Sequence, residues 1–272
     1  MAVIQNILYE AFDMKTKILE KVFKLKFAGF LFIGVLGCGG INLPALAAMP
    51  IQQWTTANGA KVLFVETHAI PVLDISVEFD AGSRRDPADK IGLAALANGS
   101  LDKGILSPDG NNVSESRILD AFADAGALHG GKSGMDRAGY TLRVLSGQAE
   151  SDDVIQMMSR FLSKPSFPEE LLERDKARLV ASLREELTRP ESIAAKTFKR
   201  DLYIDHPYGR SPTPESVMSI TRNDLVNFHK THYVANRAVI SIVGDVDQNR
   251  ARAIADEISQ NLQTSYQELP VL

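Results

Sequence analysis

Leu73, Ile75, Val77 and Phe79 stand at every second position, and Asp74, Ser76, Glu78 and Asp80 fill the gaps. Successive side chains of an extended chain point to opposite faces, so this period predicts a strand with one buried and one wet face. Such a sheet needs cover on one side only, and the rest of the chain must supply it. Ala81-Gly82-Ser83 ends the run. Tyr140, Leu142 and Val144 repeat the alternation and predict a strand over Ala138–Leu145. A shorter β-type run, Lys61–Glu66, follows the Asn58-Gly59 turn signal. Residues 238–243 are apolar and mostly β-branched save for Ser241, as expected of a buried central strand.

Helical spacing fills the intervals. Residues 90–103 are apolar and rich in small side chains. Ser114 to Ala125 puts Ile118, Leu119 and Phe122 on one face, with Gly126 as a stop. Ser151 reads as an N-cap ahead of Val154, Met157, Met158, Phe161 and Leu162. Pro168 opens a long helix to about Thr188, and Pro190 punctuates it. Thr221 and Asp224 have capping-box spacing before Leu225 and Phe228. Asp247 caps a last helix carrying Ile254, Ile258 and Leu262. Strands and helices mix without a strict βαβ repeat. That predicts an α+β fold, one mixed or antiparallel sheet covered by helices, as a single domain over 51–262. Residues 263–272 lose periodicity and read as the start of a linker or tail.

Residues 1–47 read as an extension and a secretion signal. From Met14, a better start than Met1, come Lys15, Lys17, Lys21, Lys24 and Lys26, then the apolar run 27–36. Ala45-Leu46-Ala47 offers a small-x-small cleavage site. Val35-Leu36-Gly37-Cys38 resembles a bacterial lipobox, which would put a lipid on Cys38. An uncleaved anchor is the third form, although the run is short for a full span. The mature protein is expected in a bacterial periplasm, free or held to the membrane by anchor or lipid. Cys38 is the one cysteine, so no internal disulfide and no cysteine-built zinc site can form. A net charge of −4 gives nucleic acid no basic footprint.

Several segments carry a resemblance. They are Phe79-Asp80-Ala81-Gly82-Ser83-Arg84, Gly92-Leu93-Ala94, Lys103-Gly104, and Asp205-His206-Pro207-Tyr208-Gly209-Arg210. Phe228-His229-Lys230-Thr231-His232-Tyr233 with Asn236 follows, and then 239–243 running into Gly244-Asp245. In this collinear order the chain resembles the N-terminal half of the pitrilysin/insulinase family of inverted zinc peptidases, which includes mitochondrial processing peptidase. The resemblance implies the pitrilysin-family half-fold.

The family's chemistry uses H-x-x-E-H on a helix. Two histidines one turn apart bind zinc, and the glutamate takes a proton from the zinc-bound water. A carboxylate further along completes the site, and zinc brings the water's pKa to about 7. Gapless alignment from Gly92-Leu93-Ala94 to Lys103-Gly104 puts the first histidine at Ala95, the glutamate at Asn98 and the second histidine at Gly99. The third ligand falls at Ser182. The resemblance thus implies that the family's zinc is absent here, leaving no metal, no cofactor and no catalytic residue. The Gly-rich stretch Leu128, His129, Gly130, Gly131, Lys132 and Ser133 corresponds to the family's edge strand, which pairs with extended peptide by β-augmentation. A mobile Gly-rich hairpin is the plainer reading.

The implied role is a non-catalytic subunit that binds peptide and a homologous zinc-bearing peptidase subunit, or a second half-domain. The family places a second homologous domain after this region, so the chain is expected to be a truncated product or a half completed by another chain. A structural scaffold is one alternative. An active zinc metalloendopeptidase with atypical ligands is another. His229 and His232, three apart, are expected to be structural, and His206 to order its loop. Gly130-Gly131-Lys132-Ser133-Gly134 lacks the spacing of a phosphate loop. Glu185 and Glu186 are adjacent and do not share a helix face. Ser100, Ser107 and Ser133 have no evident histidine–acid partners.

Overall fold

The computed structural model describes residues 49–265 and 267–270. The cleavage site at Ala47 and the lipidation site at Cys38 lie outside the described residues. Strands β1 (Gln52–Thr55), β2 (Lys61–Glu66) and β3 (Val72–Phe79) come first. The short strands β4 (Gly104–Ile105) and β5 (Val113–Ser114) pair with each other. β6 (Leu128–Ser133), β7 (Ala138–Leu145) and β8 (Val239–Gly244) complete a mixed sheet in the order β1-β2-β8-β3-β7-β6. β2 and β8 run parallel, and the remaining neighbours are antiparallel.

The alternation in β3 decides which face is covered. Leu73, Ile75, Val77 and Phe79 are buried in a single core, opposite Val144, Leu142 and Tyr140 on one side and Ile242 and Ile240 on the other. The other face stays wet. There Asp74 lies across from Arg143 and accepts two hydrogen bonds from its guanidinium, at 2.7 and 2.8 Å.

The helices are α1 (Leu93–Gly99), α2 (Glu115–Asp124), α3 (Gln148–Ser163), α4 (Glu169–Glu186), α5 (Pro190–Leu202), α6 (Pro214–Met218), α7 (Arg222–His232) and α8 (Gln248–Ser259). α1 packs beside β6 and β7, α3 beside β7, and α8 beside β2. The capping box at Thr221 and Asp224 starts α7, and Asp247 caps α8 through the Arg250 N–H at 2.7 Å.

Four local expectations are corrected. The helix expected over 90–103 is α-helical only from Leu93 to Gly99. Gly92 has a positive φ of 109°, and Asp86 accepts from the N–H groups of Gly92 and Ala94, which fixes the start. The end tightens into a 3₁₀ turn over Leu101–Lys103. Ser151 is not the N-cap of α3. β7 closes when Ser146 N–H donates to Pro71 O at 3.0 Å, so Gly147 launches the helix a turn earlier. Leu119 is exposed while Ile118 and Phe122 are buried. Pro190 does more than end α4, because it is the first residue of α5, where its missing N–H costs nothing.

The tail is held as far as residue 270. Asn236 grips the Ser265 backbone by two hydrogen bonds, and Arg85 donates to Pro270 O at 2.7 Å.

Candidate functional site

The Gly92 turn and the Asp86 cap present α1 with two unlike faces. Ala95 and Gly99, one turn apart, are exposed, and nothing lies within 4 Å of where Gly99 would carry a Cβ. Asn98 is buried and points the other way. Its Oδ1 accepts from the hydroxyl of Tyr233 at 3.0 Å. Tyr233 lies in the core against Phe79, with ring centroids 4.8 Å apart, and burial pushes its hydroxyl pKa up. Ser182 sits on the exposed side of α4 beside buried Leu183.

These four positions do not fit a zinc ion. Alanine and glycine carry no donor atom. An amide and an aliphatic hydroxyl stay neutral at pH 7, so neither supplies the anionic or imidazole donor that zinc takes, and the amide accepts no proton there. Among the described residues, no group of three His, Cys, Asp or Glu is placed to hold a metal ion.

The other histidines have structural duties. His229 Nε2 donates to Leu162 O at 2.8 Å, and His232 Nδ1 donates to Asp80 O at 3.0 Å. Burial pushes both down to about 4, so both are neutral at pH 7. The pair donates to two separate carbonyls. His206 Nδ1 accepts from Tyr208 N–H at 3.1 Å and so orders its own loop.

β6 is the last strand of the sheet and pairs with β7 alone. Its other edge is free among the described residues. In register, His129, Gly131 and Ser133 share the helix-covered face with Leu142, Tyr140 and Ala138. Leu128, Gly130 and Lys132 share the wet face with Arg143, Thr141 and Gly139.

Two inner contacts pin this strand. Tyr140 donates to Asp102 Oδ2 at 2.7 Å, and its oxygen lies 2.5 Å from His129 Nδ1. The tyrosine hydrogen is committed to Asp102, so Nδ1 of His129 carries the proton of that second bond. His129 also stacks on Phe122 at 4.1 Å, and desolvation lowers its pKa. Two residues on, a Cβ at Gly131 would stand 2.8 Å from Asn98 Nδ2, so only glycine lets the strand lie this close to α1.

The turn joining β6 to β7 is clamped as well. Gly82, Ser83 and Arg84 N–H donate to the carbonyls of Asp136, Gly134 and Met135 at 3.2, 3.0 and 2.9 Å. The Asp136 carboxylate takes Arg84 at 3.2 Å and the Tyr208 hydroxyl. Segments 79–84, 92–104 and 205–210, remote in sequence, therefore meet around β6 and its turn, and 228–233 backs α1 through Tyr233. Residues 128–133 were legible as that strand only through the family resemblance. The roles of Asp102, Asp136, Tyr140 and Tyr233 were not, because the tyrosine hydroxyls that define them donate across 38 to 135 positions of sequence and leave no local signal.

Residues 61–213 match the family model described as insulinase, peptidase family M16. The chain belongs to that family. Residues 219–271 match the model of the peptidase M16 inactive domain. A crystal structure of a peptidase M16 inactive domain from Pseudomonas fluorescens is 32% identical, with a TM-score of 0.77 over 82% of this chain and 53% of that one. A non-peptidase homolog, YmxG, from Helicobacter pylori is 26% identical over 84% of this chain and 50% of its own length. A probable mitochondrial-processing peptidase subunit beta from Schizosaccharomyces pombe is 22% identical over 84% of this chain and 50% of its own. The chain spans about half the length of these M16 relatives.

Proposed function

We propose that this M16 chain is a non-catalytic, exported subunit that binds extended polypeptide along the free edge of β6 and works beside a homologous zinc-bearing subunit. One observation carries the reading. The four positions that would bind metal and activate water hold Ala95, Asn98, Gly99 and Ser182, while the neighbouring edge strand is held firmly at both ends. Chemistry is lost and the binding edge is kept. β-Augmentation uses main-chain hydrogen bonds and asks little of sequence, so such an edge needs no intact metal site to hold a peptide.

Association is supported by α5, which buries no residue of its own. Ile193, Phe198 and Leu202 are exposed along it, with Leu187 before and Ile204 after. Phe198 and Leu202, one turn apart, share a face, and exposed apolar groups of this kind mark a contact surface. The basic-then-apolar segment from Met14 supports export to the periplasm, and fractionation of cells expressing the full chain tests that part.

Polypeptide binding is tested with fluorescein-labelled, reduced and carboxymethylated α-lactalbumin, a permanently unfolded chain. Its anisotropy should rise on titration with the protein while the polypeptide remains uncut on gels. Absence of binding, with association to a zinc-bearing homologue retained, would leave a structural scaffold instead. Cleavage abolished by a chelator would make the chain an active peptidase with other ligands.

A further inference from the structure

We infer that Asn98 hooks the backbone of a bound polypeptide, its Nδ2 donating to a main-chain carbonyl of a strand laid along β6. The inference rests on the proposed polypeptide-binding reading and assigns that reading an atom.

The orientation of the amide comes first. Tyr233 donates to Asn98 Oδ1, and this is the one hydrogen bond of that hydroxyl among the described residues. Turning the amide over would set an N–H against the O–H and strand the phenolic hydrogen in the core. Oδ1 therefore faces inward, and Nδ2 faces β6, beside Gly131.

The second observation is that Nδ2 has no partner among the described residues. Asn98 is 2% exposed, yet no described residue accepts a hydrogen bond from Nδ2. The atom is not fully enclosed and keeps contact with solvent. A nearly buried donor that only solvent can reach is poorly satisfied, and native proteins give most such groups a fixed partner. A ligand acceptor would satisfy it.

The third is the space around it. Ala95 and Gly99 leave the adjoining surface of α1 bare. Carbonyls on one side of an extended chain recur at every second residue, about every 6–7 Å, so a strand laid along β6 can set one of them against a fixed donor. The position that holds a proton-accepting glutamate in zinc-bearing relatives thus holds a donor. It can grip an amide carbonyl but cannot activate water against it.

The test uses the full chain and the same labelled α-lactalbumin. Asn98→Asp keeps the shape and the acceptor for Tyr233, removes the donor and turns a carboxylate oxygen toward the bound carbonyl. It should weaken binding by about three- to tenfold, the worth of one hydrogen bond. Tyr233→Phe leaves the donor but frees the amide to turn, so a smaller loss is expected. It also serves if Asn98→Asp fails to fold in a thermal melt. Wild-type binding with both folded variants within about twofold of it would overturn this inference alone. A wild-type chain that does not bind at all would overturn the polypeptide reading and the inference with it.

Discussion

The imidazole of His129 and the phenol of Tyr140 meet at 2.5 Å across β6 and β7, and Tyr140 passes its hydrogen on to Asp102 at 2.7 Å. The relay ties the free-edged strand to the turn that follows α1. Burial and the Asp102 carboxylate keep the phenol protonated, and desolvation keeps the imidazole neutral. Tyr140→Phe would leave the His129 N–H and the Asp102 carboxylate without this partner. The expected cost is about 1–3 kcal/mol in urea unfolding. Amide exchange over 128–133 should quicken more than in β8. Unchanged exchange in β6 would show that the relay does not hold the strand.

The two buried histidines set an acid limit. Both have folded values near 4, below the ordinary 6.5, so the unfolded chain binds more protons between those values. Stability should be full above pH 6.5 and fall as pH drops toward 4. For His229 the displacement is worth roughly 3 kcal/mol, and for the less enclosed His232 somewhat less. Asp86 acts in the opposite sense. Burial raises it from 3.8 to about 6, so its contribution weakens as pH rises through that window and partly offsets the histidines. Urea midpoints at pH 7.0 and 4.5 check the balance. His229→Gln should flatten the slope, and a midpoint that does not move with pH would refute it.

Gly82 has an ordinary φ of −76° yet tolerates no side chain. A Cβ there would overlap the Met135 carbonyl oxygen in the turn between β6 and β7. Gly82→Ala should push that turn away and cost about 1–3 kcal/mol, as overpacking does. A melting temperature equal to wild type would mean that the turn is free to give.

Phe198 on α5 is 67% exposed. Phe198→Glu should leave the melting temperature within about 2 °C, since little buried surface is lost. The same change should weaken association with a zinc-bearing homologue in size-exclusion chromatography. A large fall in melting temperature would show that the residue belongs to this chain's own packing.

Much of the fold was legible because its signals are local. The alternation of Leu73 to Phe79, the Asn58-Gly59 turn and the Thr221–Asp224 box each act within a few residues. α5 was missed because Pro190 marks a stop and a start alike, and because Ile193, Phe198 and Leu202 face outward. The start of α3 was misplaced because Ser151 lies among acids that imitate a first turn. The emptied ligand positions could be named only through the family resemblance, which set Gly92-Leu93-Ala94 and Lys103-Gly104 as anchors. The bond between Tyr233 and Asn98 spans 135 positions and could not.

The central claim is that this helix carries no metal and does no hydrolysis. The most direct measurement is the zinc content of the full chain, purified in the presence of zinc, together with cleavage of carboxymethylated α-lactalbumin before and after a chelator. Far less than one zinc per chain and no chelator-sensitive cleavage are expected. One tightly held zinc per chain, with cleavage that the chelator abolishes, would contradict it.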